Sequence, residues 1–290
     1  MTDQYTFGII GGSGLYDLSQ LTDKKEIVVD TPFGSPSSPI MTGLVNGHRL
    51  AFLARHGIGH TISPSEVNYR ANIWAFKALG VKRIISVSAC GSLREDYKPG
   101  DIVIPDQVYD NTHKRARSFF ENGLVVHVST ADPFCAELSH SLAQALAEEG
   151  ASFHEGGAYI TIEGPRFSTR AESNTFRSWG MSLVGMTCSP EVFLAREAEI
   201  CYATMAHVTD YDCWHISEEP VTVEMVVKTL MHNTATAQNT LVRLADILSQ
   251  TEDMDCACQH SLESAIITNP QRINPATKEK LGLLVNKYLK

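Results

Sequence analysis

Apolar residues along the chain fall into short dense runs separated by longer amphipathic stretches. Residues 7–10 (Phe-Gly-Ile-Ile) form a run suited to a buried strand, and it meets the turn Gly11-Gly12-Ser13-Gly14. Residues 26–29 and 50–53 read as further strands. Residues 64–79 open with Pro64 and Glu66, continue through Ala71, Ile73, Trp74, Ala75 and Phe76, and stop at Gly80, a pattern that predicts a helix. The run 84–87 predicts a strand that breaks at Ala89-Cys90-Gly91-Ser92, and 102–104 predicts another. A helix over 134–149 is followed by a strand at 159–162, a helix near 170–179, a short strand at 182–185 and a helix at 190–199. A strand at 202–208 ends at Thr209-Asp210, and a long helix over 222–248 has Thr222 as its N-cap candidate. Alternation of this kind predicts an α/β fold: a single domain with a central mixed β-sheet flanked by helices. Residues 1–250 make up that domain. Residues 251–290 are a C-terminal extension packing on it or extending from it, with a short helix expected near the end.

Composition narrows the classes. The chain has 290 residues, 43% hydrophobic and 20% charged, enough to bury a core without metal or disulfide staples. A net charge of -9 disfavours nucleic acid as a partner. No apolar run approaches the ~20 residues of a membrane span, so no membrane partner is expected. The N-terminal residues lack a basic n-region and an apolar h-region, which points to the cytoplasm. Seven scattered cysteines favour reduced thiols over a disulfide framework.

The chemistry lies where predicted strands end. Gly11 to Gly14, Arg55-His56, Ser88-Ala89, Glu163 to Arg166, Met186-Thr187 and Asp210 to Asp212 all occupy such places. In open α/β sheets ligands sit at strand carboxyl ends, so the six clusters can share one pocket. Gly12-Ser13-Gly14 can turn backbone N–H groups toward an anion, or be a plain tight turn. It is neither a dinucleotide fingerprint, since Asp17 replaces the third glycine, nor a P-loop or a nucleophile elbow. Arg55 offers a fork of donors for phosphate oxygens and His56 one more; a solvated surface pair is the plainer alternative. His56 and His60 are four apart, but Gly57 and Gly59 lie between them and no third ligand follows, so no metal site is expected. Glu163-Gly164-Pro165-Arg166 reads either as a site or as a turn with a Glu–Arg ion pair. Asp210 and Asp212 face the same side of an extended segment, where two carboxylates raise each other's pKa and one can stay protonated near neutrality. A solvated turn is the alternative there. Cys90 and Cys213 fit buried packing positions better than nucleophiles.

Taken in order, these clusters carry a resemblance. Gly-Ile-Ile-Gly-Gly-Ser-Gly-Leu at 8–15, Asp-Thr-Pro-Phe-Gly at 30–34, Ala-Arg-His-Gly at 54–57 and Asn-Tyr-Arg-Ala-Asn-Ile-Trp-Ala at 68–75 belong to it. So do Ala-Cys-Gly-Ser-Leu-Arg at 89–94, Pro-Gly-Asp-Ile-Val-Ile-Pro-Asp-Gln at 99–107 and Thr-Ile-Glu-Gly-Pro-Arg-Phe-Ser at 161–168. Gly-Met-Thr at 185–187, Pro-Glu-Val at 190–192 and Val-Thr-Asp-Tyr-Asp-Cys-Trp at 208–214 complete it. The chain resembles the methylthioadenosine phosphorylases of the trimeric purine nucleoside phosphorylase family over about residues 6–250.

The resemblance implies phosphorolysis of S-methyl-5′-thioadenosine to adenine and 5-methylthioribose 1-phosphate. No cofactor is implied, and inorganic phosphate is the co-substrate. Phosphate would be held by Ser13, Arg55, His56, Ser88, the Ala89 N–H and Thr187. Met186 would lie against the ribose and Phe167 against the base, with Ser168 and Tyr211 also in the substrate-binding set. Val223 and Val227 would line the methylthio pocket. Asp210 would act at N7 and Asp212 mainly at the exocyclic amine. Relatives acting on 6-oxopurines have Glu at the place of Ser168 and Asn at that of Asp210, so this pattern favours adenine. His127 would reach a neighbouring subunit's pocket, implying a homotrimer or a dimer of trimers. Cys256-Ala-Cys258 resembles a C-terminal Cys-x-Cys of archaeal members, where it goes with disulfides; Cys135 and Cys201 also match bridged cysteines there. Broader adenosine or methylthioinosine phosphorolysis, and a purine nucleoside-binding protein without turnover, stay open as alternatives. A dinucleotide oxidoreductase lacks its fingerprint.

Overall fold

The computed structural model describes residues 4–12, 20–215, 222–250 and 256–289, apart from the side chains at 230–233. The elements are β1 (Phe7–Gly11), β2 (Thr22–Ile27), β3 (Ile40–Val45), β4 (His48–Ala54), α1 (Tyr69–Ala78), β5 (Arg83–Ser92), β6 (Ile102–Ile104) and β7 (Gln107–Asn111). There follow α2 (Ala136–Glu148), β8 (Phe153–Glu155), β9 (Ala158–Ile162), α3 (Arg170–Ser178), β10 (Leu183–Gly185), α4 (Cys188–Glu197) and β11 (Cys201–Asp210). The long helix α5 (Val223–Ser249), then α6 (Pro275–Lys280) and α7 (Gly282–Val285), complete the chain.

One mixed sheet holds them together, as the alternation predicts. Its path runs β2-β3-β4-β1-β5-β10-β9-β7, with β11 also on β5, β6 on β11, and β8 on β6. β4, β1, β5 and β11 are mutually parallel, so their carboxyl ends share one edge. β10 runs antiparallel to the end of β5 and parallel to β9, so those two strands point their carboxyl ends back toward the same place.

Side-chain alternation explains why the central strands read as unbroken apolar runs. On β11, Tyr202, Ala206 and Val208 join one core cluster, with Ile73 and Phe76 of α1 and Val192 of α4. Cys201, Ala203 and Met205 point the other way, into a second cluster with Leu138 and Leu142 of α2 and Leu241 and Leu244 of α5. Both faces are covered, so both parities must be apolar. Leu241 is fully buried; truncating such a leucine to alanine costs about 2–5 kcal/mol.

Four local readings change. The strand read at 26–29 lies earlier, as β2 at Thr22–Ile27, with Val28 exposed beyond its end. α1 starts at Tyr69, not near 64, because Asn68 caps it by accepting from the Ala71 N–H. Residues 64–67 form turns instead, and the Tyr69 hydroxyl donates to Pro64 O. β5 does not break at Ala89 but continues to Ser92, since Gly91 and Ser92 pair with β10. The strands at 40–45, 107–111 and 153–155 carry no strong apolar alternation and are additional to those read from the pattern. The C-terminal residues lie on the domain: Leu262, Ile273, Leu281, Leu284 and Val285 enter the first core cluster, and Leu262 N donates to Glu199 Oε1.

Candidate active site

The two opposed sets of strand ends enclose a cavity of about 720 Å³. All the expected site residues line it except Ser13, Tyr211 and His127. Ser13 lies outside the described residues, though its neighbour Gly12 borders the cavity. His127 is exposed elsewhere, held by its N–H to Ala265 O. Tyr211 faces away: its ring stacks on His215 and meets Trp214 edge-on. β11 ends at Asp210 and the chain turns there, with Asp212 at φ 52°, so Tyr211 stays out of the substrate wall while its acidic neighbours line it.

The cationic corner is more inward-facing than its sequence suggests. Arg55 is 1% exposed. Its Nε and Nη2 donate to Glu191 at 2.9 and 3.0 Å, and Nη2 also meets Ser86 Oγ at 2.7 Å. Nη1 donates to Val87 O. Most of the guanidinium fork thus grips protein, with little left for the cavity. Glu191 is itself buried and accepts from the Tyr202 hydroxyl as well. His56 turns Nδ1 to Ile62 O at 2.9 Å and stacks on His60 at 4.4 Å. Burial, then the charge of Arg55, pull its pKa down to about 4. His56 is therefore neutral at neutral pH, with its proton on Nδ1 and Nε2 as an acceptor.

Ser88 and Ala89 come from the middle of β5, and Thr187 follows β10. Met186 is placed by two devices. Its carbonyl accepts from Arg115 Nη1 at 2.7 Å. Gly164, at φ 66°, leaves room for its sulfur, which a Cβ there would meet at 2.6 Å. Glu163 does not pair with Arg166. It accepts from the His113 and Lys114 N–H groups and the Ser65 hydroxyl and faces Arg115, so the Glu163 turn is structural. Arg166 pairs with Glu172 on the surface.

The acidic pair closes the other part of the cavity. Asp210 is 5% exposed. Its Oδ1 accepts from Asp212 N at 2.7 Å and its Oδ2 from the Thr209 hydroxyl at 2.6 Å. Its pKa is pushed up to about 6, and the main cause is burial; the charge of Asp212 adds less than either hydrogen bond removes. That corrects the expectation of mutual repulsion as the cause. Burial also raises Asp212. Nor is the segment extended: Asp212 sits in the left-handed region at φ 52°. Gly91 is what lets both carboxylates approach β5, since a Cβ there would lie 2.9 Å from Asp210 Oδ1. Phe167, Val223 and Val227 form a largely exposed apolar rim, with Val223 66% exposed.

Sequence reasoning missed four contributors: Glu191 and Arg115, which hold other site residues, and His207 and Thr209 on the cavity wall. His207 is buried with no partner on either ring nitrogen among the described residues, and burial lowers its pKa to about 4. Glu191 was visible within Pro-Glu-Val, but nothing marked it as the partner of Arg55. Away from the cavity, the sulfurs of Cys135, Cys201, Cys256 and Cys258 converge.

Residues 6–246 match the model of the phosphorylase superfamily. S-methyl-5′-thioadenosine phosphorylase of Geobacter sulfurreducens is 51% identical over 290 residues, covering 99% of this chain and 100% of the relative. That of Hyperthermus butylicus is 53% identical over 261 residues, 89% of this chain and 94% of the relative. Among solved structures, a methylthioadenosine phosphorylase from an antarctic soil metagenomic library superposes with a TM-score of 0.93 at 44% identity, over 98% of this chain and 100% of that one. The Schistosoma mansoni methylthioadenosine phosphorylase in complex with adenine gives 0.86 at 38% identity, over 91% and 99%.

Proposed function

The chain belongs to the phosphorylase superfamily, and on that premise we propose that it splits S-methyl-5′-thioadenosine with inorganic phosphate, a step of purine and methionine salvage. It is a pentosyltransferase of the purine nucleoside phosphorylase type. The observation that carries the substrate reading is Asp210: a buried carboxyl, poised to hold a proton near neutrality, on the wall of a cavity large enough for a nucleoside.

The site residues act as follows. Ser88, the Ala89 N–H, Thr187 and Ser13 hold phosphate, while Arg55 contributes mainly through its Nη1 edge and its field. Neutral His56 accepts a hydrogen bond at Nε2 from the hydroxyl of hydrogen phosphate. Met186 supports the ribose, Phe167 covers the base, and Val223 and Val227 receive the methylthio group. As the C1′–N9 bond breaks, its electron pair moves into the base and Asp210 delivers a proton to N7. A phosphate oxygen bonds to C1′ from the opposite face. The proton lost by phosphate as the ester forms restores the acid. Asp212 accepts from the exocyclic amine, and Ser168 leaves space there. No cofactor takes part.

The enzyme works as a homotrimer in the cytoplasm. Exposure of His127 and of the apolar rim supports completion of each site by a neighbour, and unbridged cysteines suit a reducing compartment. Phosphate-dependent release of base from methylthioadenosine, adenosine and inosine tests the reading. Adenine should be released from methylthioadenosine fastest, and hypoxanthine release outpacing it would overturn the base assignment.

A further inference from the structure

Four cysteines from three distant segments meet on the side of the sheet covered by α2 and α5. Cys135 immediately precedes α2, Cys201 opens β11, and Cys256 and Cys258 flank Ala257 at the start of a short 3-10 turn. All four are buried, and their sulfurs lie within 4.8 Å of one another. Cys135 and Cys256 sulfurs are 3.5 Å apart. A tetrahedron of thiolates around zinc at about 2.3 Å has sulfur–sulfur edges of about 3.8 Å, so small side-chain adjustments close the set.

We propose that Cys135, Cys201, Cys256 and Cys258 form a structural zinc site that pins the C-terminal segment to the phosphorylase domain. Three observations favour this over a packed group of thiols. The backbone holds Cys135 against the start of β11, since Cys135 N donates at 2.9 Å to O of Tyr202, the residue that follows Cys201. The Cys-x-Cys turn is closed by Gln259 N to Cys256 O at 2.8 Å, presenting two sulfurs from one short loop. Arg196 then aims Nη1 at Cys258 Sγ, 3.2 Å away, while Nη2 is anchored on Asp132 O. Four thiolates around a divalent ion leave a charge of −2, which the guanidinium partly offsets. Joined as two disulfides, the sulfurs would be uncharged and the arginine would point at a neutral atom in an apolar surround. Leu138, Leu241 and Leu248 belong to the same core cluster as the four ligands, an environment that shields a closed, four-coordinate site from water.

The zinc would join the C-terminal residues to the start of β11, whose other end carries Asp210. Its role is therefore in stability and attachment of the tail rather than in chemistry.

The test uses the untagged full chain, purified under reductant without chelator. Elemental analysis should find about one zinc per chain, and X-ray absorption should show sulfur-only ligation at about 2.3 Å. Cobalt exchanged into the wild-type protein should give the intense thiolate charge-transfer bands of a tetrahedral site. The paired substitution Cys256→Ser and Cys258→Ser should abolish zinc and cobalt binding and lower Tm, with methylthioadenosine turnover retained at low temperature. Protein that takes up neither metal, whether its cysteines are four alkylatable thiols or two disulfides, overturns the proposal. So does zinc bound through nitrogen or oxygen, or zinc kept by the double variant.

Discussion

Replacing Asp210 by asparagine separates its two consequences, catalytic and energetic. Asp210 has a pKa of about 6 in the folded protein, against 3.8 for an unperturbed aspartate. At pH 7 roughly a tenth of the molecules then carry the proton needed at N7, and kcat/KM loses about a factor of ten for each pH unit above that. Asn keeps the shape and the oxygen that accepts from Asp212 N, but it cannot release a proton. Turnover should fall by about 10²–10⁴, the usual worth of a positioned general acid. The sign of the stability change is opposite. A carboxyl whose folded pKa is raised stabilises the fold below its unfolded pKa, and that contribution is lost as pH rises through about 6. A rise of about two units corresponds to about 3 kcal/mol, so at pH 8 the neutral variant should be more stable by up to that amount. The assays are pH profiles of adenine release at saturating phosphate and thermal melts at pH 5 and pH 8. The reasoning is refuted if the variant keeps near-wild-type turnover with the limb near pH 6 intact, or if its melting temperature at pH 8 falls well below wild type.

Three further changes probe the supports of the site. Gly91→Ala places a Cβ 2.9 Å from Asp210 Oδ1 and should cut kcat with little change in phosphate KM, measured by steady-state kinetics. Glu191→Gln leaves the Arg55 charge buried without its counterion and should cost about 3–5 kcal/mol by chemical denaturation; phosphate KM should rise in the same variant as the arginine loosens. His207→Phe removes a buried imidazole whose folded pKa is about 4. Such a depressed base stabilises above its unfolded pKa and loses that contribution as pH falls from about 6.5 to 4, so the variant should show a flatter decline of Tm between those values.

Much of the site was legible because its residues punctuate strands. Arg55, His56, Ser88, Thr187 and Asp210 each stand at or near the end of an apolar run; Arg55, His56 and Asp210 meet at the shared edge of parallel strands, while Ser88 lies within β5 and Thr187 follows β10, which runs back toward them. What escaped was set by partners distant in sequence. Burial of Arg55 against Glu191, 136 positions away, shows in no local pattern. The same holds for the four cysteines, whose convergence depends on how α2, β11 and the tail pack. Pro64 and Glu66 satisfy first-turn preferences, but the Asn68 cap overrides them and starts α1 at Tyr69. The long reading of β5 needed its partner β10, since Gly91 alone looks like a strand breaker.

The acid pair depends on a single irregularity of β11. Up to Val208 the strand follows β5 in step, with Ala206 opposite Ser88 and Val208 opposite Cys90. The ladder then shifts, so that Asp210 opposes Gly91 and Thr209 is the extra residue. In a regular strand Asp210 would share the face of Val208, which lies in the apolar core. The bulge instead lets His207, Thr209 and Asp210 all border the cavity, although two of them are consecutive. Two variants distinguish the backbone effect from the hydroxyl. Thr209→Val keeps the bulge and removes the hydrogen bond that lowers the Asp210 pKa, so the descending limb of activity should move above pH 6 with turnover largely preserved. Deleting Thr209 restores the regular ladder and turns Asp210 toward the core, so phosphorolysis should vanish while phosphate still binds at Ser88 and Thr187. If the deletion retained turnover with a limb near pH 6, the bulge would not be what aims the acid.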